Sequence, residues 1–408
     1  MTRLGPITFC ATLLALLGGC GAAEPAPPAA PTPVAAPPET RSVALPPDPD
    51  LAKGFASDAG AGATKPTPRP ALAPATTSAA ESPLPSVPPK PVTIPLAPPG
   101  EESAYATAIR AGDDAYEKND LAAAERAYTT ARKLAPKRAP AAVGLARTKI
   151  AKSGVPFDYG AGQKNAAVKQ AAADLARIVQ ANKDDGAALA ELGRAELLLG
   201  EADKVVSSLK RAAELLPDVA EVQSSLGIAL LAAGRAEEAL AAFRVAATLD
   251  KGSAIRHSHY GTALLLRGQQ KEAIVEYDLA ARMDPNDARA HSDLGTALLS
   301  DGQTERAVRE LERAIAIDPK RATFQSNLGY ALQLMGRRDA AIAKYREAIR
   351  LDDKLASAWI NLATALAQDP KTRADARAAL ERARAIDPTD PRVSANLKEL
   401  DELERSHK

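Results

Sequence analysis

The sequence predicts an all-α solenoid of paired helices, and three periodic observations carry that prediction. Gly193, Gly227, Gly261, Gly295 and Gly329 recur every 34 residues, four of them after leucine and one after Tyr260. Gly200, Gly234, Gly268, Gly302 and Gly336 keep the same interval, as do Ala212, Ala246, Ala280, Ala314 and Ala348. Five recurrences of three separate positions at one period mark a chain built from repeated units.

The unit 288–321 explains the spacing. In its first half, ARAHSDLGTALLS, Leu294, Gly295 and Leu298 share one helical face. Gly302 then stands where a helix end favours a residue that tolerates positive φ. The second half, TERAVRELERAIAIDP, aligns Ala307, Leu311 and Ala314, and Pro319 closes the element. Small residues at Gly295, Ala307 and Ala314 let the two antiparallel helices approach, with Leu298 and Leu311 filling the seam.

The pattern of Leu-Gly, then Ala-x3-[Phe/Tyr/Leu]-x2-Ala, then Pro, at this period resembles the tetratricopeptide repeat (TPR) family, over about three quarters of the chain. Departures are few. Lys251 and Asp353 stand where proline is usual, Ala363 replaces the glycine, and the family tryptophan occurs once, as Trp359. The resemblance implies a right-handed superhelix whose first helices line a concave, peptide-binding surface.

Taken in order, residues 1–20 read MTRLGPITFCATLLALLGGC. Arg3 precedes an apolar stretch, Ile7 to Leu17, that is short for a bilayer span. Leu17-Gly18-Gly19-Cys20 resembles the bacterial lipobox, which implies a signal peptide over 1–19 and acylation of Cys20. Multiple acyl chains make such an anchor lasting. Gly21 is not the aspartate that, by resemblance to enteric lipoproteins, retains them at the inner membrane, so outer-membrane delivery facing the periplasm is expected. Residues 21–100 carry 22 of the 32 prolines. That composition predicts a disordered, partly stiff tether over 20–100.

The array is expected over 101–389 as about eight repeats. Residues 105–138 place Gly112, Ala124, Tyr128, Ala131 and Pro136 at the expected offsets, with Asn119 in the helix-ending slot. Gly193 follows Gly112 by 81 residues, so the second unit, 139–185, is lengthened by 13 around 153–165, between predicted helices 140–152 and 165–182. The inserted loop reads as a tolerated surface insertion. Regular units start at 186, 220, 254, 288, 322 and 356, the last with one extra residue between Gln368 and Arg373. Residues 390–408 read as a charged capping helix covering the last repeat, with no catalytic domain expected after it.

Composition narrows the chemistry. Net charge is +1 and aromatic content 3%, which excludes the basic footprint of a nucleic-acid-binding protein. The two cysteines, Cys10 and Cys20, both precede the repeats, which excludes a disulfide framework. His257 and His291 occupy one slot in adjacent repeats, with His259 nearby, and read as packing residues because no cysteine or paired carboxylate stands at zinc-ligand spacing. Every glycine of the array is explained by the repeat, so no phosphate loop is present. No catalytic residues, cofactor or metal are expected.

The functional face lies opposite the seam of each first helix, at its second, sixth, ninth and thirteenth positions. The sixth slot reads Ser225, His259, Asp293, Asn327 and Asn361, and the ninth includes Thr262, Thr296, Tyr330 and Thr364. Asparagine and threonine suit a peptide backbone, and the row resembles the asparagine ladder of peptide-gripping TPR arrays. These nine residues are the expected groove. The function expected is a lipid-anchored scaffold that binds segments of envelope partner proteins, as in bacterial TPR lipoproteins. A structural stalk or oligomerisation module is the alternative, but the sequence shows no apolar outer stripe that would favour it. The regulatory part of a TPR-linked glycosyltransferase is the further alternative, disfavoured because no catalytic domain is expected beyond the capping helix.

Overall fold

The computed structural model describes residues 94–155 and 159–405. Cys20, the signal peptide expected over 1–19 and most of the expected tether lie outside the described residues. Among those described, the secondary structure is helical throughout, with seventeen α-helices and one 3-10 turn and no strand.

First helices are α1 (Ala104–Glu117), α3 (Ala139–Lys152), α5 (Gly186–Leu199), α7 (Ala220–Ala232), α9 (Ala254–Leu266), α11 (Ala288–Ser300), α13 (Ala322–Leu334) and α15 (Ala356–Ala367). Their partners are α2 (Leu121–Leu134), α4 (Ala166–Ala181), α6 (Ala202–Leu215), α8 (Ala236–Leu249), α10 (Gln270–Met283), α12 (Thr304–Ile317), α14 (Arg338–Leu351) and α16 (Arg373–Ile386). α17 (Pro391–Arg405) follows. Each helix packs on the next in sequence, and first helices also touch first helices of adjacent repeats, which makes the array a solenoid.

Two glycine slots do different physical work. At the ends of α5, α7, α9, α11 and α13 the glycines adopt φ between +73° and +81°, and Asn119 takes the same role in the first repeat with φ +57°. Inside the first helices the glycines mark close approach. A Cβ at Gly329 would stand 2.7 Å from the Tyr345 ring, and one at Gly112 would stand 2.4 Å from Tyr128. The alanines Ala212, Ala246, Ala280, Ala314 and Ala348 are all fully buried at 0% exposure, so no larger side chain fits there without displacement.

The turn between repeats does not depend on proline. Asp284, Asp318, Asp352 and Asp387 each end a second helix, and each carboxylate accepts the backbone N–H two residues on. This Asx turn holds the chain where Asp353 replaces proline. The extra residue of the last repeat is absorbed by the 3-10 turn Pro370–Thr372, whose start Asp369 caps through Lys371 N–H.

The 13-residue insertion is partly built into the array. Gly160 and Gly162 donate to the Leu197 and Leu198 carbonyls at 2.9 and 2.7 Å, and the Tyr159 hydroxyl donates to the Gly200 carbonyl at 2.8 Å. The described part of the loop therefore closes the C-terminal end of α5, where a helix has carbonyls without intrahelical partners. Asn165 then caps α4 by accepting from Ala167 and Val168 N–H.

At the other end, α17 lies against α15 and α16. Leu400 and Val393 are buried, Arg373 donates to the Leu403 carbonyl, and Arg377 pairs with Asp401 and Glu404.

Candidate functional site

Three of the five sixth-slot residues, His259, Asn327 and Asn361, make lateral contacts between neighbouring first helices. The Asn327 amide nitrogen reaches Ser292 Oγ and Thr296 Oγ1 of the preceding repeat, both at 3.4 Å. Asn361 reaches Ser326 Oγ at 3.4 Å, and Asn396 of α17 reaches Thr364 Oγ1 at 3.2 Å. His259 Nδ1 lies 3.1 Å from Ser224 Oγ, with its ring 5.4 Å from that of Phe243. Asn327 and Asn361 are buried in these crevices, as is Ser225, while Tyr330 and the threonines are half-buried. The row is thus an inter-repeat ladder first, because a crevice between helices demands that its polar groups find partners.

The ninth-slot threonines spend their donors locally. Thr262, Thr296 and Thr364 each donate to the carbonyl four residues back, at 2.9, 2.9 and 3.0 Å. Toward anything else they are acceptors. Thr262 also meets the Tyr277 hydroxyl at 2.8 Å.

Two members of the row are electrostatically out of balance. Burial, with the nearby Arg289 and Arg256 guanidiniums adding to it, lowers the His259 pKa to about 4. Burial raises that of Asp293 to about 6, against the pull of Arg289 and with help from Asp287. At neutral pH the row therefore presents a neutral imidazole next to a carboxylate held at a cost.

His257 and His291 are buried, each bonded both to the second helix of its own repeat and to the turn that precedes it. Their Nδ1 atoms meet Glu276 and Glu310 carboxylates at 2.6 and 2.8 Å, and their Nε2 atoms meet the Lys251 and Pro285 carbonyls at 3.1 and 3.2 Å. Trp359 fills the same slot, and its Nε1 donates to the Asp353 carbonyl at 2.9 Å, likewise six residues back. Indole is a donor only, so this slot fastens the inter-repeat turn through a ring N–H. Among the described residues no group of three or more His, Cys, Asp and Glu could hold a metal.

One expectation is corrected. The second helices carry an exposed apolar stripe, with Val245 and Leu249 on α8, Val275, Leu279 and Met283 on α10, and Ile317 on α12. Apart from Val275, these residues repeat at the same slots of successive units. Reading only the first helices for function hides it.

Sequence reasoning also missed the ninth slot of the first three repeats. Asp113, Arg147 and Arg194 stand there, 34 and then 47 residues apart, the second step being the lengthened repeat. Arg147 is 1% exposed and Asp113 7%. Arg147 pairs with Asp113 and contacts the Tyr128 hydroxyl, and its guanidinium stacks 4.8 Å from the Tyr116 ring centroid. Burial raises the Tyr128 phenol above its ordinary range, so it stays protonated and donates to Asp113 at 2.7 Å. Arg194 lies 3.7 Å from the buried Glu191.

Against this charged patch lies the chain's own segment 94–97. Leu96 and Ala97 N–H donate to Asp113 Oδ2 at 2.8 and 3.3 Å, and Arg147 donates to the Ile94 carbonyl at 2.9 Å. Ile94 and Leu96 are each 5% exposed, and Pro95 between them faces out. Residues that composition assigns to the tether thus lie against the first helices α1 and α3.

Family models match in two forms. A model described as TPR repeat matches residues 261–302 and 295–336, and one described as tetratricopeptide repeat matches 206–254 and 326–391. No curated protein sequence matches the chain. Among solved structures, "Crystal structure of APC/C hetero-tetramer Cut9-Hcn1" aligns with TM-score 0.54 at 16% identity, over 72% of this chain and 55% of that one. This chain therefore spans about half the length of that relative. A Pseudomonas aeruginosa protein, PilF, aligns with TM-score 0.44 at 18% identity, over 53% of this chain and 98% of that one. YrrB, titled "a TPR protein with an unusual peptide-binding site", aligns with TM-score 0.39 at 20% identity, over 45% and 95%. Tetratricopeptide repeats are thus matched over 206–254 and 261–391, and the same helix pairing runs through the rest of the described residues as one helical solenoid.

Proposed function

We propose that this chain is a non-catalytic scaffold, lipid-anchored in the bacterial envelope, which binds extended segments of partner proteins along the inner face of its repeats and so supports assembly of an envelope complex. The observation that carries the reading is the seat of residues 94–97: backbone N–H and C=O groups of a non-helical segment are met there by side chains of two first helices. An inner face that holds one stretch of polypeptide in this way has the chemistry to hold another. Tyr330 and the threonines, half-buried above the inter-repeat contacts of Asn327 and Asn361, extend a polar surface over the later repeats.

The anchor rests on Leu17-Gly18-Gly19-Cys20. Cys20→Ser is expected to move the protein from the membrane fraction to the soluble one, and retention in the membrane would remove the anchor from the proposal. For the scaffold, a photoreactive residue at Tyr330 is expected to crosslink defined envelope proteins in cells. The same residue at the exposed Glu312 of α12 is not. Equal yields at the two positions would refute an inner-face site.

The apolar stripe on α8, α10 and α12 favours a second reading, in which copies of the chain pair through their outer faces. Leu279→Lys with Val275→Lys is expected to convert a dimer to a monomer in sedimentation if that reading holds. A monomeric parent excludes it.

A further inference from the structure

The segment Ile94–Ala97 is joined to α1 through a short turn that is itself pinned. Glu101 forms a two-pronged pair with Arg138 at 2.8 and 2.7 Å, and its carbonyl accepts from Arg110 at 3.0 Å. Arg138 stacks 4.0 Å over the Tyr105 ring. From that fixed point the chain runs back across the inner face. Pro95 and Pro98 fix their own φ and bias Ile94 and Ala97 toward extended backbone. The side chains alternate accordingly, Ile94 in, Pro95 out, Leu96 in.

The two inward side chains enter different sockets. Ile94 joins the cluster of Leu189, Ala190, Ala212 and Val222, from repeats that begin 92 and more residues downstream. Leu96 joins the cluster of Tyr105, Ile109 and Tyr116. Between the sockets, Asp113 accepts two backbone N–H groups and Arg147 supplies one donor to a backbone carbonyl. These are groups that every polypeptide offers at that spacing. Selectivity comes only from the sockets, which take apolar side chains two residues apart.

Without an occupant the same place would hold a buried carboxylate missing two donors and a buried guanidinium missing an acceptor. Arg147 already has its Nε without a hydrogen-bond partner. Such groups are costly to leave unpaired. A site of this kind wants a backbone in it at all times, and it does not distinguish the chain's own from another with the same pattern.

We propose that residues 94–97 are a built-in, displaceable occupant of a peptide-binding seat formed by Asp113, Arg147 and the two apolar sockets. The external ligand that displaces them is an extended protein segment with large aliphatic residues at positions i and i+2. This rests on the inner face being the binding face, and it adds the sequence pattern bound and an internal competitor. Because the competitor is tethered a few residues from its seat, its effective concentration is on the order of millimolar. External segments therefore bind weakly until it leaves.

The test uses the full chain and a fluorescent peptide of residues 92–98, VTIPLAP. The variant Ile94→Ser with Leu96→Ser is expected to bind the peptide at least tenfold more tightly than the parent. Adding Asp113→Asn to that variant is expected to abolish the gain, and a peptide with serine at both aliphatic positions is expected to bind neither protein. Helical circular dichroism equal to the parent's establishes that the variant is folded. Equal affinity for parent and variant, or no binding to a folded variant, overturns the proposal. Hydrogen exchange on the parent gives a second reading: the Leu96 and Ala97 amides are expected to exchange at least a hundredfold faster than the core of α1. Exchange no faster than that core would make the segment a permanent part of the fold and also overturn it. If the seat fails these tests while Tyr330 still crosslinks partners, the scaffold stands without its internal competitor. If Tyr330 also yields nothing, the scaffold falls as well.

Discussion

The first three repeats and the last five use the same slots of the same helix pair for opposite chemistry. In α1, α3 and α5 the ninth position is charged, and Arg147 and Asp113 are buried against an extended segment of the chain's own polypeptide. In α9, α11 and α15 the same position is threonine, whose hydroxyl bonds its own helix. The difference teaches that the repeat fixes only the seam between paired helices. The opposite face is free to vary, and here it varies in one block. A buried ion pair is kept where a backbone satisfies its remaining valences, and neutral residues stand where none does.

The sharpest way to break this contrast is Arg147→Ala. It leaves Asp113 and the Tyr128 hydroxyl buried beside a void, and should cost about 3–5 kcal/mol. Because each repeat contacts only its neighbours, the loss should be confined to α1–α4 in hydrogen exchange, with α9–α16 unchanged. Thr296→Val at the later end should stay within about 1 kcal/mol by urea unfolding. Comparable losses at the two sites would erase the distinction between the blocks.

Asp293→Asn probes the neutral block through pH. The folded pKa, about 6, lies above the ordinary 3.8. The folded state therefore binds the extra proton, and the parent gains stability as pH falls through 6. The asparagine variant should exceed the parent by about 2–3 kcal/mol at pH 8, with the gap closing by pH 4. His259 opposes this trend. Its folded pKa of about 4 lies below 6.5, so its contribution is intact above pH 6.5 and is lost as pH falls toward 4. The parent should thus look nearly flat between pH 7 and 4 in thermal unfolding. Each single variant, Asp293→Asn or His259→Gln, should expose the slope of the other, and flat profiles in both variants would contradict the assignment.

Gly329→Ala tests the seam that both blocks share. The new Cβ would meet Tyr345 at 2.7 Å, and the cost should be about 2 kcal/mol. At Gly261 the approach to Tyr277 is a looser 3.2 Å, so Gly261→Ala should cost less, as measured by urea unfolding. An effect as small as that of Thr296→Val is expected for Asn361→Ala, which removes one 3.4 Å contact to Ser326 and should cost about 1 kcal/mol. A larger loss would mean that the ladder between first helices carries more of the stability than its geometry indicates.

The paired-helix fold was legible because its signals repeat. The seam glycines, the fully buried alanines and the positive-φ residues, down to Asn119 in the first unit, are local demands that recur in every unit. The insertion was located by counting, yet its role in closing α5 depends on carbonyls at 197 and 198, which a composition of glycine and lysine does not announce. The inner face was harder to read. Asn327 and Asn361 looked solvent-directed on a single helix, and only the neighbouring helix shows that they are buried. The seat at Asp113 and Arg147 joins residues 17 and 53 positions from their backbone partners, and a proline-rich stretch gave no sign of being held. Continuing the ninth slot upstream across the 47-residue step would have exposed the charges, though not their occupant.

Every internal helix pair of the array offers its successor the same stacking surface. Beyond α16 that surface is taken by α17, which buries Leu400 and Val393 and ties Arg377 to Asp401 and Glu404. The apolar side chains that α16 would otherwise leave open at that end are thus covered from within the same chain, which removes a sticky surface from a modular rod.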